Sequence, residues 1–142
     1  MSKTAIIYWS GTGNTEVMAN AILEGAKEVN ADIKLFSVDQ ITADEAKDYN
    51  NLILGCPAMG AEELEEGEFE PFFAELEVNL SGKNVALFGS YGWGDGEWMR
   101  EWEKRVTDSG AKLAYESVIA NDSPDDDAVT SCNGLGKIVA AL

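Results

Sequence analysis

A chain of 142 residues, 45% hydrophobic and without a long apolar stretch, has room for one core and reads as one domain over residues 1–142. Ten basic against 26 acidic residues leave a net charge of -16, which excludes nucleic acid and anionic membrane surfaces as partners and makes basic protein surfaces the natural complement. The chain has no histidine, so histidine bases, Ser-His-Asp and Cys-His nucleophiles and most zinc sites are excluded, and any chemistry must come from a cofactor.

In chain order, the apolar run Ala5-Ile6-Ile7-Tyr8-Trp9 predicts a first strand. It is too short for a secretory leader or a membrane span and runs straight into a polar loop, so a cytoplasmic protein is expected. That loop, Ser10-Gly11-Thr12-Gly13-Asn14-Thr15, leads into the helical pattern Val17, Met18, Ala21, Ile22. Converging backbone N–H groups, several hydroxyls and a helix N-terminus carrying roughly +0.5 charge suit a phosphate. No Lys follows the second glycine, so the loop is not that of a nucleotide triphosphatase, and Glu16 stands at the third glycine position of the dinucleotide fingerprint. The pattern points to a terminal monoester phosphate held by neutral donors.

Further strands are predicted at Ile33 to Phe36, Leu52 to Leu54, Val85 to Phe88 and Leu113 to Ala120, the last split by Glu116 and Ser117. Helix starts are marked by the capping box Thr42 and Glu45, by Pro71, and by Ser123, Pro124 and Asp126. Trp98, Trp102 and Val106 fall four apart on one helical face and read as core. Alternating strand and helix predict an α/β fold, a doubly wound parallel sheet with helices on both faces. Cys56 and Cys132 are too far apart in sequence for an iron–sulfur or dithiol motif and read as buried, reduced thiols.

Such sheets bind ligands beyond the carboxyl ends of their strands, where strand order reverses. The loop after the third strand is Gly55-Cys56-Pro57-Ala58-Met59-Gly60-Ala61-Glu62, and that after the fourth is Gly89-Ser90-Tyr91-Gly92-Trp93-Gly94-Asp95-Gly96. Met59 from one loop, with Tyr91 and Trp93 from the other, are placed to close on a flat ring.

These three segments, Trp9 to Thr15, Gly55 to Gly60 and Phe88 to Gly94, strongly resemble the short-chain flavodoxins, small FMN-binding electron carriers, over the length of the chain. The resemblance implies five strands in the order 2-1-3-4-5. It places the FMN phosphate on Ser10, Gly11, Thr12, Gly13, Asn14 and Thr15, with Ser90 a further donor. The isoalloxazine would lie between Met59 and Trp93. Glu62 would accept from the flavin N3–H, with the backbone of Gly89, Tyr91, Gly92 and Gly94 meeting the pyrimidine edge. Pro57 stands where some members carry a hydroxyl and cannot donate; Ala58 follows it in the same loop. The family's redox switch is a backbone flip in Met59-Gly60-Ala61-Glu62 that turns the Gly60 carbonyl toward flavin N5–H, and Ala61 stands where polar residues also occur.

The implied function is a low-potential one-electron carrier cycling mainly between semiquinone and hydroquinone, the second electron being resisted by nearby carboxylates. The acids Glu62, Glu63, Glu65, Glu66, Glu68 and Glu70 read equally as a solvated face or as a docking surface for basic partners. Those partners would be flavodoxin or ferredoxin reductases and oxidoreductases otherwise served by ferredoxin. Like-charge repulsion makes a monomer the expected state. The alternative is a small FMN-dependent NAD(P)H quinone or nitro reductase. It is disfavoured because Met59 and Trp93 would leave little open space over the ring, and the chain has no second module for a nicotinamide.

Overall fold

The computed structural model describes residues 3–30 and 32–142. Its strands are β1 (Thr4–Tyr8), β2 (Lys34–Ser37), β3 (Asn51–Gly55), β4 (Asn84–Tyr91), β5 (Lys112–Leu113) and β6 (Val118–Asn121). The helices are α1 (Asn14–Lys27), α2 (Ala43–Ala46), α3 (Phe69–Glu77), α4 (Glu97–Asp108) and α5 (Asp126–Ala140). All named strand pairs are parallel, in the order β2-β1-β3-β4-β5, with β6 also on β4.

Why the strands read as solid apolar runs is visible in β1 and β3. Ala5, Ile7, Leu52 and Leu54 face one core, which includes Phe69 and Phe73 of α3 and Trp98 and Trp102 of α4. Ile6 and Ile53 face the other, with Met18 and Ile22 of α1 and Leu135 and Val139 of α5. A parallel strand covered on both faces has no polar side to show. Each fully buried Ile or Leu contributes roughly 1.5–3 kcal/mol. The two thiols lie one in each core and are free. Burial pushes Cys56 upward and Cys132 up to about 12, which keeps both protonated and unreactive at neutral pH.

Several boundaries differ from the sequence expectation. The first strand ends at Tyr8 rather than Trp9, and the second starts at Lys34 rather than Ile33. The fourth strand runs on to Tyr91, so Gly89, Ser90 and Tyr91 belong to a strand and not to a loop. Pairing of Phe88, Gly89, Ser90 and Tyr91 with β6 holds this extension. The fifth strand is two pieces, because Ala114 to Ser117 leave the ladder between the β5 and β6 registers. The Thr42–Glu45 capping box forms in both directions. The final helix, in contrast, is capped by Asp125, which accepts from the Ala128 N–H at 2.8 Å, rather than by Ser123 or Asp126.

Candidate functional site: a cleft at the strand reversal

β1 is flanked by β2 and β3, so the crossovers leave it in opposite directions and a crevice opens at the carboxyl ends of β1 and β3. A cleft of about 220 Å³ sits there, lined by Trp9, Gly11, Thr12, Asn14, Pro57, Ala58, Met59, Ser90, Tyr91, Gly92 and Asp122. No lysine or arginine lines it.

Its first wall is the 10–15 loop. Gly13, at φ 101°, turns the chain into α1, and its carbonyl accepts from the Val17 N–H at 3.0 Å. The Ser10 hydroxyl accepts from the Gly13 and Glu16 amides at 3.1 and 3.3 Å, fixing the loop from inside. Among the described residues, the N–H groups of Gly11, Thr12, Asn14 and Thr15 have no acceptor. Free donors at a helix N-terminus are what an anion requires. Thr15 is buried, and its hydroxyl lies 3.2 Å from that of Ser90, tying the start of α1 to β4. The Asn14 side chain accepts from the Ser123 hydroxyl at 3.4 Å. Behind the loop, the Tyr8 hydroxyl donates to Glu16 at 3.0 Å, and burial, then this contact, raise its pKa.

The second wall is the segment after β3. The Ala58 N–H donates to the Ser90 carbonyl at 3.0 Å, so Pro57 and Ala58 follow β4 beyond the strand proper. Met59 and Glu63 then exchange both backbone bonds at 2.8 Å, closing a turn over Gly60, Ala61 and Glu62. Gly60 sits at φ 51° and Glu62 at φ 56°, so this turn holds two left-handed residues, one of which is not glycine. The Glu62 carboxylate accepts from the Glu97 N–H at 3.2 Å, at the first turn of α4.

Met59 is 39% exposed on the rim, whereas Trp93, 66% exposed, lies outside the cleft lining, as do Ser10, Gly13, Thr15, Gly60, Ala61, Glu62, Gly89 and Gly94. Tyr91 is half-buried with its ring packed on Trp98, centroids 5.6 Å apart. One cleft residue, Asp122, escaped the sequence reading of the site, whereas Trp9 heads the phosphate-loop segment. Trp9 donates its indole N–H to Glu68 at 3.1 Å, across a separation of 59 residues that no local pattern reveals. Asp122, at φ 56°, donates its N–H to the Tyr91 carbonyl at 2.7 Å; an Asp next to the Ser-Pro of the last helix start was the available signal.

The acidic run is not a uniform solvated face. Glu65 accepts from the amides of Gly67, Glu68 and Phe69, Glu68 holds Trp9, and Glu70 pairs with Arg105 at 2.7 Å. Glu63 and Glu66 are the exposed members of the run without a side-chain partner among the described residues.

FMN fits this setting. A neutral donor set at a helix N-terminus matches a phosphate monoester, and Met59 and Tyr91 give a polarizable and an aromatic wall for a flat ring. Among the described residues no helix is long and apolar enough to cross a membrane.

Comparison with known proteins bears on the same site. The family model described as flavodoxin matches residues 6–133. The flavodoxin of Clostridium beijerinckii is 49% identical over 137 residues, covering 96% of this chain and 99% of that protein. That of Megasphaera elsdenii is 46% identical over 135 residues, covering 95% and 96%. The solution structure of the two-electron reduced Megasphaera elsdenii protein superposes with a TM-score of 0.90 over 98% of this chain and 99% of that one. Flavodoxins bind FMN and transfer electrons rather than catalyse a reaction of their own. With the sheet order, the anion loop and these relatives in agreement, the chain belongs to the flavodoxin family.

Proposed function

We propose that this protein is a one-domain, cytoplasmic, monomeric carrier of single electrons that works mainly between the semiquinone and hydroquinone levels of FMN. The observation that carries this reading is the set of four amides, on Gly11, Thr12, Asn14 and Thr15, that have no partner among the described residues, in a loop whose Gly11, Thr12 and Asn14 line a cleft with no cationic side chain among the described residues. Each hydrogen bond to a charged group adds about 1.5–3 kcal/mol. Several together hold a dianion inside a protein of charge -16.

On this reading Ser10 to Thr15 bind the phosphate. Met59 and Trp93 flank the ring. Glu62 would accept from the flavin N3–H, and the strand end Gly89 to Gly92, with Gly94, would border the pyrimidine side. Trp93, exposed on its own, is the side chain whose cover the ring supplies. The flavin supplies one-electron redox chemistry, and the chain's part is to hold a proton at N5 and to oppose added negative charge. Gly60, at φ 51° in a turn closed by Met59 and Glu63, would offer its carbonyl to N5–H. Glu62, Glu63 and Glu66 would oppose added negative charge on a bound flavin, a carboxylate about 10 Å from such a charge repelling it by roughly 0.4 kcal/mol in water before screening. The lower couple is therefore low in potential. Redox enzymes with basic docking surfaces are the partners this charge favours, reductases on the donor side and ferredoxin-type clients on the acceptor side.

Anaerobic stepwise reduction followed by visible absorption tests the reading. A yellow protein passing through a stable blue intermediate is the expected course. Direct passage to the fully reduced form would overturn the one-electron assignment, and failure to bind FMN would overturn the site.

A further inference from the structure

Two buried tryptophans on α4 differ in one respect. Trp98 and Trp102, 2% and 1% exposed, lie one turn apart in the same core. The Trp98 indole N–H donates to the Cys56 carbonyl at 3.1 Å, across 42 residues. The Trp102 indole N–H has no partner among the described residues. Packing alone explains Trp102, whose ring makes edge contacts with Phe69 and Phe73 at 5.4 and 5.9 Å. It does not explain why Trp98 reaches the first residue after β3.

Two residues tie the turn that Met59 and Glu63 close to α4: Cys56, which precedes it, and Glu62, its last residue. The carbonyl of the first and the carboxylate of the second both accept from the first turn of α4, one from the Trp98 indole and the other from the Glu97 amide at 3.2 Å. Each acceptor also lies against a glycine. A Cβ at Gly89 would stand 2.2 Å from the Cys56 carbonyl oxygen, and one at Gly94 would stand 2.3 Å from the Glu62 carboxylate. The approach of both anchors therefore depends on a missing side chain.

We propose that the first turn of α4 is a two-point frame for the 56–62 segment, and that Trp98 is a positioning residue that sets this segment against the cofactor. The part of the proposal that concerns the flavin rests on the function given above; the frame itself does not. An unanchored turn moves as a unit and holds the Gly60 carbonyl less firmly over N5. Trp98 also carries the Tyr91 ring, so the same indole orders two sides of the cleft.

The test compares Trp98→Phe with Trp102→Phe in the FMN-loaded protein. Both lose an indole from one core, but only the first loses a hydrogen bond. Exchange of the hydrogen-bonded amides of Ala58, Met59 and Glu63 is expected to quicken about fivefold in Trp98→Phe, the loss that one net hydrogen bond of about 1 kcal/mol implies. It should stay at the wild-type rate in Trp102→Phe. The first one-electron potential should fall by about 40 mV in Trp98→Phe alone, the same fivefold factor expressed for one electron. Equal exchange rates and equal potentials in the two variants would overturn the frame, since a merely structural role lowers stability in both. If Trp98→Phe does not fold, the wild-type indole proton resonances decide. Movement of the Trp98 signal on reduction, with that of Trp102 still, supports the frame, and a stationary Trp98 signal overturns it. A wild-type protein that binds no FMN would sink the flavin reading, and the exchange comparison would then be run without cofactor and would still decide the frame.

Discussion

The two walls of the cleft are built on opposite plans. The 10–15 loop is closed on itself by the Ser10 hydroxyl and by Thr15 against Ser90, so its four free amides are fixed before any ligand arrives. The 57–63 segment is instead suspended, paired with itself at Met59 and Glu63, with Gly60 and Glu62 in left-handed conformations and Met59 exposed. A preorganised wall suits a group that never changes, the phosphate, because no ordering cost falls on binding. A suspended wall suits a group whose hydrogen-bonding pattern changes with its redox state. The difference separates affinity from potential, and substitutions in the two walls should separate them too.

The largest effect is expected from Gly13→Val. Gly13 stands at φ 101° with open space around the position of a Cβ, so the penalty is purely conformational. A β-branched residue there costs on the order of 2 kcal/mol or more. FMN affinity should fall roughly thirtyfold by titration, with the separation of the two potentials little changed in the fraction that binds. Gly60→Val is the counterpart on the other wall. Space is again open and φ is 51°, so about 1–2 kcal/mol of strain falls on the turn. The first-electron potential should drop by roughly 40–90 mV, with FMN still bound. Potentiometry showing both couples unchanged would remove the Gly60 carbonyl from the account, and loss of FMN in Gly60→Val would show that the walls are not separable.

How far this plan could be read from the sequence depends on the distance over which each contact acts. The strand–loop–helix at residues 4–27 was legible because a buried parallel strand has no polar face and Gly13 follows it at once. The Trp98, Trp102 and Val106 face was legible from spacing alone and is buried as expected. The course of β4 through Gly89 to Tyr91 was not, since glycines next to a cleft look like a loop until β6 is seen to pair with them. Glu65 was lost in a run of like residues, although it differs from its neighbours in facing three amides of its own chain. Asp122 reaches the cleft by way of Tyr91, 31 residues away, and the Trp9 indole meets Glu68 across 59 residues, contacts that leave no local periodicity.

The suspended segment ends on α3, and two contacts there say how firmly its far end is held. Arg105 of α4 meets Glu70 at 2.7 Å and Glu77 at 3.0 Å across the helix pair and lies over the Phe73 ring at 4.7 Å. The Glu70 contact, outweighing partial desolvation, raises the Arg105 pKa, so the cation is present at every working pH. Arg105→Gln should lower stability by about 1–2 kcal/mol, discounted for partial exposure, as a fall in the urea midpoint. FMN affinity should not move, because the pair lies behind α3 and not on the cleft.

The smallest effect is expected at Glu65, and its sign follows from charge. Burial pushes the Glu65 carboxyl up, but the amides of Phe69, Glu68 and Gly67 outweigh it and hold the pKa below the usual carboxylate range. A carboxylate with a depressed folded pKa contributes stability that is complete above the unfolded pKa and is lost as pH falls through the folded one. Glu65→Ala removes this cap at a cost of about 1 kcal/mol at neutral pH. The difference between wild type and variant in urea midpoint should then narrow as pH falls from the ordinary carboxylate range through the lower folded pKa, where the wild-type carboxylate takes up its proton. A difference that stayed constant through that window would mean that Glu65 acts through packing and not as an anion on the amides before α3. The segment's far end would then be held by Arg105 and by the Glu65 N–H bond to the Cys56 sulfur at 3.4 Å, and the suspended wall would be looser at its far end than at the α4 frame.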